Sequence, residues 1–148
     1  MKETQWQHLR RTEFAALVEQ DAVVVIPMAS IEQHGEHLPI NTDASNCHAI
    51  ALRAAEEIDA FPVVVLPVMA PGYSPHHMMH PGTLTLSFDT FVRVLTELAV
   101  CVHSHGFRKI LLLNGHGGNS AIVSAMRLKL ATEHAVSVVG YCLLYTSD

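Results

Sequence analysis

The sequence predicts an α/β fold of three layers, α/β/α, around a mainly parallel central sheet. Two observations carry this. Four short apolar runs do not alternate apolar with polar residues, which is the pattern of strands covered on both faces. Stretches of helical periodicity lie between them, so the chain reads α-β-α-β-α-β-α-β.

Each element follows from its residues. Glu13–Gln20 is a short helical pattern before the first strand, Val23–Pro27 (VVVIP). Ala44–Ile58 is Ala-rich, with Asp43 or Ser45 expected as its N-cap. The second strand is Pro62–Pro67 (PVVVLP). Ser87–Ser104 sets Phe88, Phe91, Val92, Leu95, Leu98, Ala99 and Val102 at i, i+3, i+4 spacing and stops at Gly106. Lys109–Leu113 (KILLL) is the third strand, and Ser120–His134 carries Ile122, Ala125, Met126 and Leu130 along one stripe. Ala135–Leu144 is the fourth strand. Met69–Leu86 fits neither pattern and is rich in Pro, Gly and His, and a loop that long in a compact domain is usually functional.

Composition narrows the function. The 148 residues fit one domain, and 49% apolar against 16% charged residues supply a core. A net charge of −5 leaves no basic surplus for nucleic acid, and no run approaches the roughly 20 apolar residues of a membrane span. Met1–Arg11 has no apolar core like that of a signal peptide, and three cysteines without a CxxC suit a reducing cytoplasm. The unusual number is 11 histidines, several of them bunched.

Those histidines follow the strands. Ser30–Pro39 and Asn41–Asp43 follow the first, Tyr73–Thr83 the second, and Asn114–Asn119 the third. Ligands of an open α/β sheet bind beyond the carboxyl ends of its strands, so the three loops converge on one edge. Glu32 and His34, two apart, point to one side of an extended segment; Asp43 adds a carboxylate able to bridge two ions, and His116 an imidazole. Mixed imidazole and carboxylate donors suit Zn²⁺ or Mn²⁺ better than Ca²⁺. Gly115, Gly117 and Gly118 allow a tight turn with exposed amides. His37 and the group His76, His77, His80 either line the pocket or serve their turns, while His8, His48, His103, His105 and His134 read as ordinary polar residues.

Three segments resemble the creatininase (creatinine amidohydrolase) family. SIEQHGEHLPINTD (Ser30–Asp43) resembles its S-x-E-Q-H-G-x-H-L-P-x-x-T-D signature. YSPHHMMHPGTLTL (Tyr73–Leu86) is similar to its S-x-E-H-x-x-F-P-G-T loop, and NGHGGN (Asn114–Asn119) to its G-H-G-G-N turn. The resemblance implies a creatininase-like fold, usually a homo-oligomer, and a metal-dependent amidohydrolase with two ions, zinc with manganese or a second zinc. By motif match it implies Glu32, His34, Asp43 and His116 as ligands, with Asp43 bridging. Ser74, His37, Gly117, Gly118 and Asn119 are expected to meet a small amide substrate, and His77 to protonate the leaving nitrogen.

The chain also departs from the family pattern. Gly118 stands where creatininase proper has a glutamate ligand, which disfavours creatinine itself. Relatives with G-H-G-G-N take that carboxylate from a later H-A-G-x-x-E-T-S segment, absent here. His76 replaces the family's Glu and His80 its Phe, whereas His77 matches. The pattern implies a longer parent, so residues 1–148 are expected to be one C-terminally truncated domain. Cys142–Asp148 (CLLYTSD) resembles a translated sequencing adapter, which predicts that about 141–148 are not native. The expected function is hydrolysis of a C–N amide bond of a small substrate, such as a cyclic amide, a formamide or a small peptide precursor, by a metal-activated water. The rival readings are a catalytically inactive metal-binding fragment, or a metal-free anion-binding module on the third loop.

Overall fold

Four parallel strands form one sheet in the order β2-β1-β3-β4. The computed structural model describes residues 3–143. The strands are β1 (Val23–Met28), β2 (Val63–Val65), β3 (Lys109–Asn114) and β4 (Val138–Cys142). The helices between them are α1 (Phe14–Glu19), α2 (Thr42–Glu57), α3 (Phe88–Ser104) and α4 (Ser120–His134). The α/β alternation read from the sequence is the observed one.

Strand alternation divides the core in two. Val24, Ile26, Met28, Ile110 and Leu112 face α3 and α4, meeting Phe91, Leu95, Ala99, Ile122, Met126 and Leu130. Val25, Val63, Val65 and Leu113 face α2, meeting Ala44, Cys47, Ala51 and Ala55. Three layers result, with small residues on α2 letting it lie close to the sheet.

Local chemistry sets the element ends. α3 starts at Ser87, whose hydroxyl accepts from the Thr90 amide at 3.3 Å, and stops before Gly106 at φ +105°. β2 pairs over only three residues, between Pro62 and Pro67, which have no N–H to donate. β4 is shorter than the Ala135–Leu144 run, because α4 ends on Ala135 in the left-handed region. Residues 144–148, most of the suspected tail, lie outside the described residues. α2 begins one residue before Asp43, with Asn41 as its N-cap and no capping side chain. Asp43 is therefore not the cap that the sequence suggests: its carboxylate faces two histidines.

Strand order places a switch point at β1 and β3. These central neighbours send the chain to opposite faces, β1 to α2 and β3 to α4. The loops after them part there and leave a crevice, where open α/β sheets bind ligands.

Cys47 lies under this crevice, fully buried, with its Sγ 3.6 Å from the Met28 and Leu113 carbonyls. Burial pushes its thiol up to about 11, and Asp43 adds to the rise. The unfolded thiol ionises near about 8.5. Its contribution to stability is thus complete below that pH and is lost as pH rises towards the folded value. At pH 8 iodoacetamide should label exposed Cys101 within minutes and Cys47 only on unfolding; equal rates in the native chain would show that α2 is not packed as described.

Candidate metal centre

Backbone bonds bring the three loops to one point. The Glu32 amide donates to the Ile40 carbonyl at 2.9 Å, which throws residues 33–39 outward and returns the chain to α2. The Leu84 amide donates to the Ile31 carbonyl at 3.0 Å, tying the long loop to the same segment. Asn114 clasps the third turn, accepting from the His116 amide at 3.1 Å and donating to the His116 carbonyl at 2.7 Å. Gly115 is required there, since a Cβ would come within 2.6 Å of the Cys47 Cβ.

Asp43 sits in the first turn of α2, where the helix dipole favours a carboxylate. Its Oδ1 is 3.0 Å from His34 Nε2 and its Oδ2 3.0 Å from His116 Nδ1. Glu32 Oε1 is 3.2 Å from the same His116 nitrogen. Glu32, Asp43 and His116 are buried and His34 is half-buried. Glu32, His34 and Asp43 offer donor atoms that all lie within 4.8 Å of one another.

The protons on these imidazoles follow from their other partners. His34 Nδ1 is 3.2 Å from the Glu32 carbonyl, which can only accept, so Nδ1 carries the proton and Nε2 is bare. At His116 a hydroxyl chain does the same work. Ser30 Oγ donates to Glu32 Oε2 at 3.0 Å, which leaves it to accept from Ser74 Oγ. Ser74 has then spent its hydrogen and must accept from His116 Nε2 at 3.0 Å, so Nδ1 is bare. With both rings neutral, two imidazole lone pairs thus face one carboxylate, a contact that a cation or a proton between them relieves. The donor set fits a borderline divalent ion such as Zn²⁺ or Mn²⁺.

The other expected site residues fall into two groups. His77 is half-buried, with Nε2 3.6 Å from Glu32 Oε1. Gly117 is exposed and faces open space. Gly118 is half-buried against His116, and exposed His37 lays its ring beside Gly35. Ser74 and Asn119, expected at the substrate, are both fully buried. Asn119 accepts from the Tyr73 amide at 2.9 Å and donates to the Ala29 carbonyl at 3.1 Å, stapling the second and third loops to the end of β1.

Sequence reading missed Ser30, whose role depends on a partner 44 residues away, although a serine between Ala29 and Glu32 at a buried strand end was a faint signal. It read His76 only as one of three histidines that either line the pocket or serve their turn. The His76 and His116 rings lie 5.9 Å apart at 12°, and His77 is 4.3 Å from His76. Loss of solvent pushes His76 below the ordinary imidazole range, helped by His77 and His116 and opposed by Glu32.

Known proteins resemble the chain in sequence and in fold. The family model for creatininase, described as creatinine amidohydrolase, matches residues 7–147. A mycofactocin precursor peptide peptidase of Mycolicibacterium smegmatis is 36% identical over 110 residues, covering 72% of this chain and 44% of that protein. A creatinine amidohydrolase of Pseudomonas putida is 32% identical over 108 residues, covering 70% and 40%. A mutant creatininase structure of Zn-Zn type superposes with a TM-score of 0.84 at 29% identity, covering 96% of this chain and 58% of that one. The chain therefore spans less than half the length of these two curated relatives.

Two substitutions separate staple from hydroxyl chain. Asn119→Ala leaves a buried amide and carbonyl without partners and should cost about 1–3 kcal/mol in urea unfolding. Ser30→Ala frees Ser74 to reverse its hydroxyl and should weaken Zn²⁺ binding roughly 10–100-fold with little change in stability. Unchanged affinity would show that the hydroxyl chain does not orient His116.

Proposed function

The chain belongs to the creatininase family, and from that premise we propose that it carries the metal centre of an amidohydrolase acting on a small C–N amide. One observation carries the reading: the two Asp43 oxygens each lie 3.0 Å from a different histidine nitrogen in a buried site. A carboxylate so placed is suited to bridging two ions. Glu32, His34, Asp43 and His116 would hold them. Bound Zn²⁺ or Mn²⁺ supplies Lewis acidity, ionising water near neutral pH and polarising an amide carbonyl.

The protein's own groups do the rest. His34 and His116 keep bare nitrogens toward the ions because the Glu32 carbonyl and Ser74 hold their protons. His77, half-buried beside Glu32, is the local group suited to protonating the leaving nitrogen, which amide cleavage requires. Gly117, Gly118 and His37 would meet the substrate, as exposed Gly117 and His37 and half-buried Gly118 allow. The buried Ser74 and Asn119 support the site from behind. The substrate is a small C–N amide, with a cyclic amide, a formamide and a small peptide precursor as its candidate classes.

Residues 1–148 act as one domain in this reading, with both apolar clusters on a single sheet. Three free cysteines suit a reducing cytoplasm, and no helix among the described residues is long and apolar enough to cross a membrane. Exposed Leu128 and Val139 support self-association into a homo-oligomer.

Elemental analysis after loading with Zn²⁺ or Mn²⁺ and desalting tests the centre. Close to two ions per chain are expected. His116→Ala should lower occupancy and abolish amide hydrolysis, and Asp43→Asn should remove both ions. Full occupancy in Asp43→Asn would exclude the bridging role.

A further inference from the structure

We infer that His76 is a metal ligand, which with Glu32 and His116 completes the coordination of one of the two ions. The inference rests on the metal-centre reading above and adds a residue to it. Among the described residues two three-member donor groups converge, Glu32–His34–Asp43 and Glu32–His76–His116, and they share Glu32. The donor atoms of the second group all lie within 4.8 Å of one another. Tetrahedral ligands with Zn–N bonds of about 2.0–2.1 Å lie about 3.4 Å apart. Small side-chain rotations close that gap, and the exposed His76 ring is the one free to make them.

The surroundings of His76 favour this position. Its ring lies nearly parallel to that of His116, at 12°, so both imidazoles border one space beside Glu32. A Cβ at Gly118 would come within 2.5 Å of His116 Nε2 and 3.0 Å of His76 Cε1, so glycine there lets the two rings take their places. His77 is closer in sequence to the middle of the loop but belongs to neither donor group.

With His76 the two ions differ. One gains two imidazoles, His76 and His116, with the carboxylate of Glu32 and one oxygen of the bridging Asp43. The other keeps one imidazole, His34, with the carboxylates of Asp43 and Glu32. An imidazole-rich site suits Zn²⁺, and a carboxylate-rich one accepts Mn²⁺. The centre is therefore expected to be selective site by site.

The test is Zn²⁺ stoichiometry by equilibrium dialysis against Zn²⁺ alone, on the whole chain and on His76→Ala, His34→Ala and the double variant. Each single variant should lose one ion, and the double variant both. His76→Ala should keep the parent's circular dichroism, because position 76 is exposed. The same number of ions in His76→Ala, at unchanged affinity, would overturn the role of His76 and leave the metal-centre reading standing. A parent chain that takes up no Zn²⁺ would overturn that reading itself.

Discussion

The site depends on one electrostatic demand: the lone pairs of two imidazoles point at the two oxygens of one buried carboxylate. Left alone this arrangement is repulsive, and burial removes the water that would screen it. The fold maintains it through partners that act from outside. A backbone carbonyl fixes the His34 proton and a chain of two serines fixes that of His116. The protein thereby holds in place a charge deficit that a divalent ion matches.

The sheet explains why this can be rigid. The participating loops leave the central strands β1 and β3, whose side chains are buried on both faces. Asn114 is the last residue of β3 and Asp43 lies in the first turn of α2, so both are positioned by regular backbone. Asn119, itself buried, then ties the ends together with two hydrogen bonds. Cys47, small and neutral, lets α2 approach the third loop closely enough for Asp43 to reach it.

Much of this was legible in the residues, and what was not has physical causes. Unbroken apolar runs gave the strands, and i, i+3, i+4 spacing gave α3, because those patterns answer to burial alone. Phe88 belongs to the same stripe yet is half exposed, since it is the first residue of α3, with its ring edge-on to that of Tyr73. Asp43 reads locally as a helix cap, and only the histidines from other loops draw its carboxylate elsewhere. Ser30 and Ser74 carry little local signal of the bonds they make, for a serine's meaning lies in what its hydroxyl meets. His76 could be placed beside Glu32 only once the long loop was seen to fold back against β1's end.

The staple at Asn119 divides the loops into a fixed root and a free tip. The roots hold Glu32, Asp43 and His116, all buried, while residues 35–40 and 78–82 are solvent-exposed. Changes at the tips can therefore alter what is admitted without disturbing the groups that would act on it. A scaffold divided in this way can be handed from one substrate to another over evolutionary time, and shared chemistry across divergent relatives is what such a division permits.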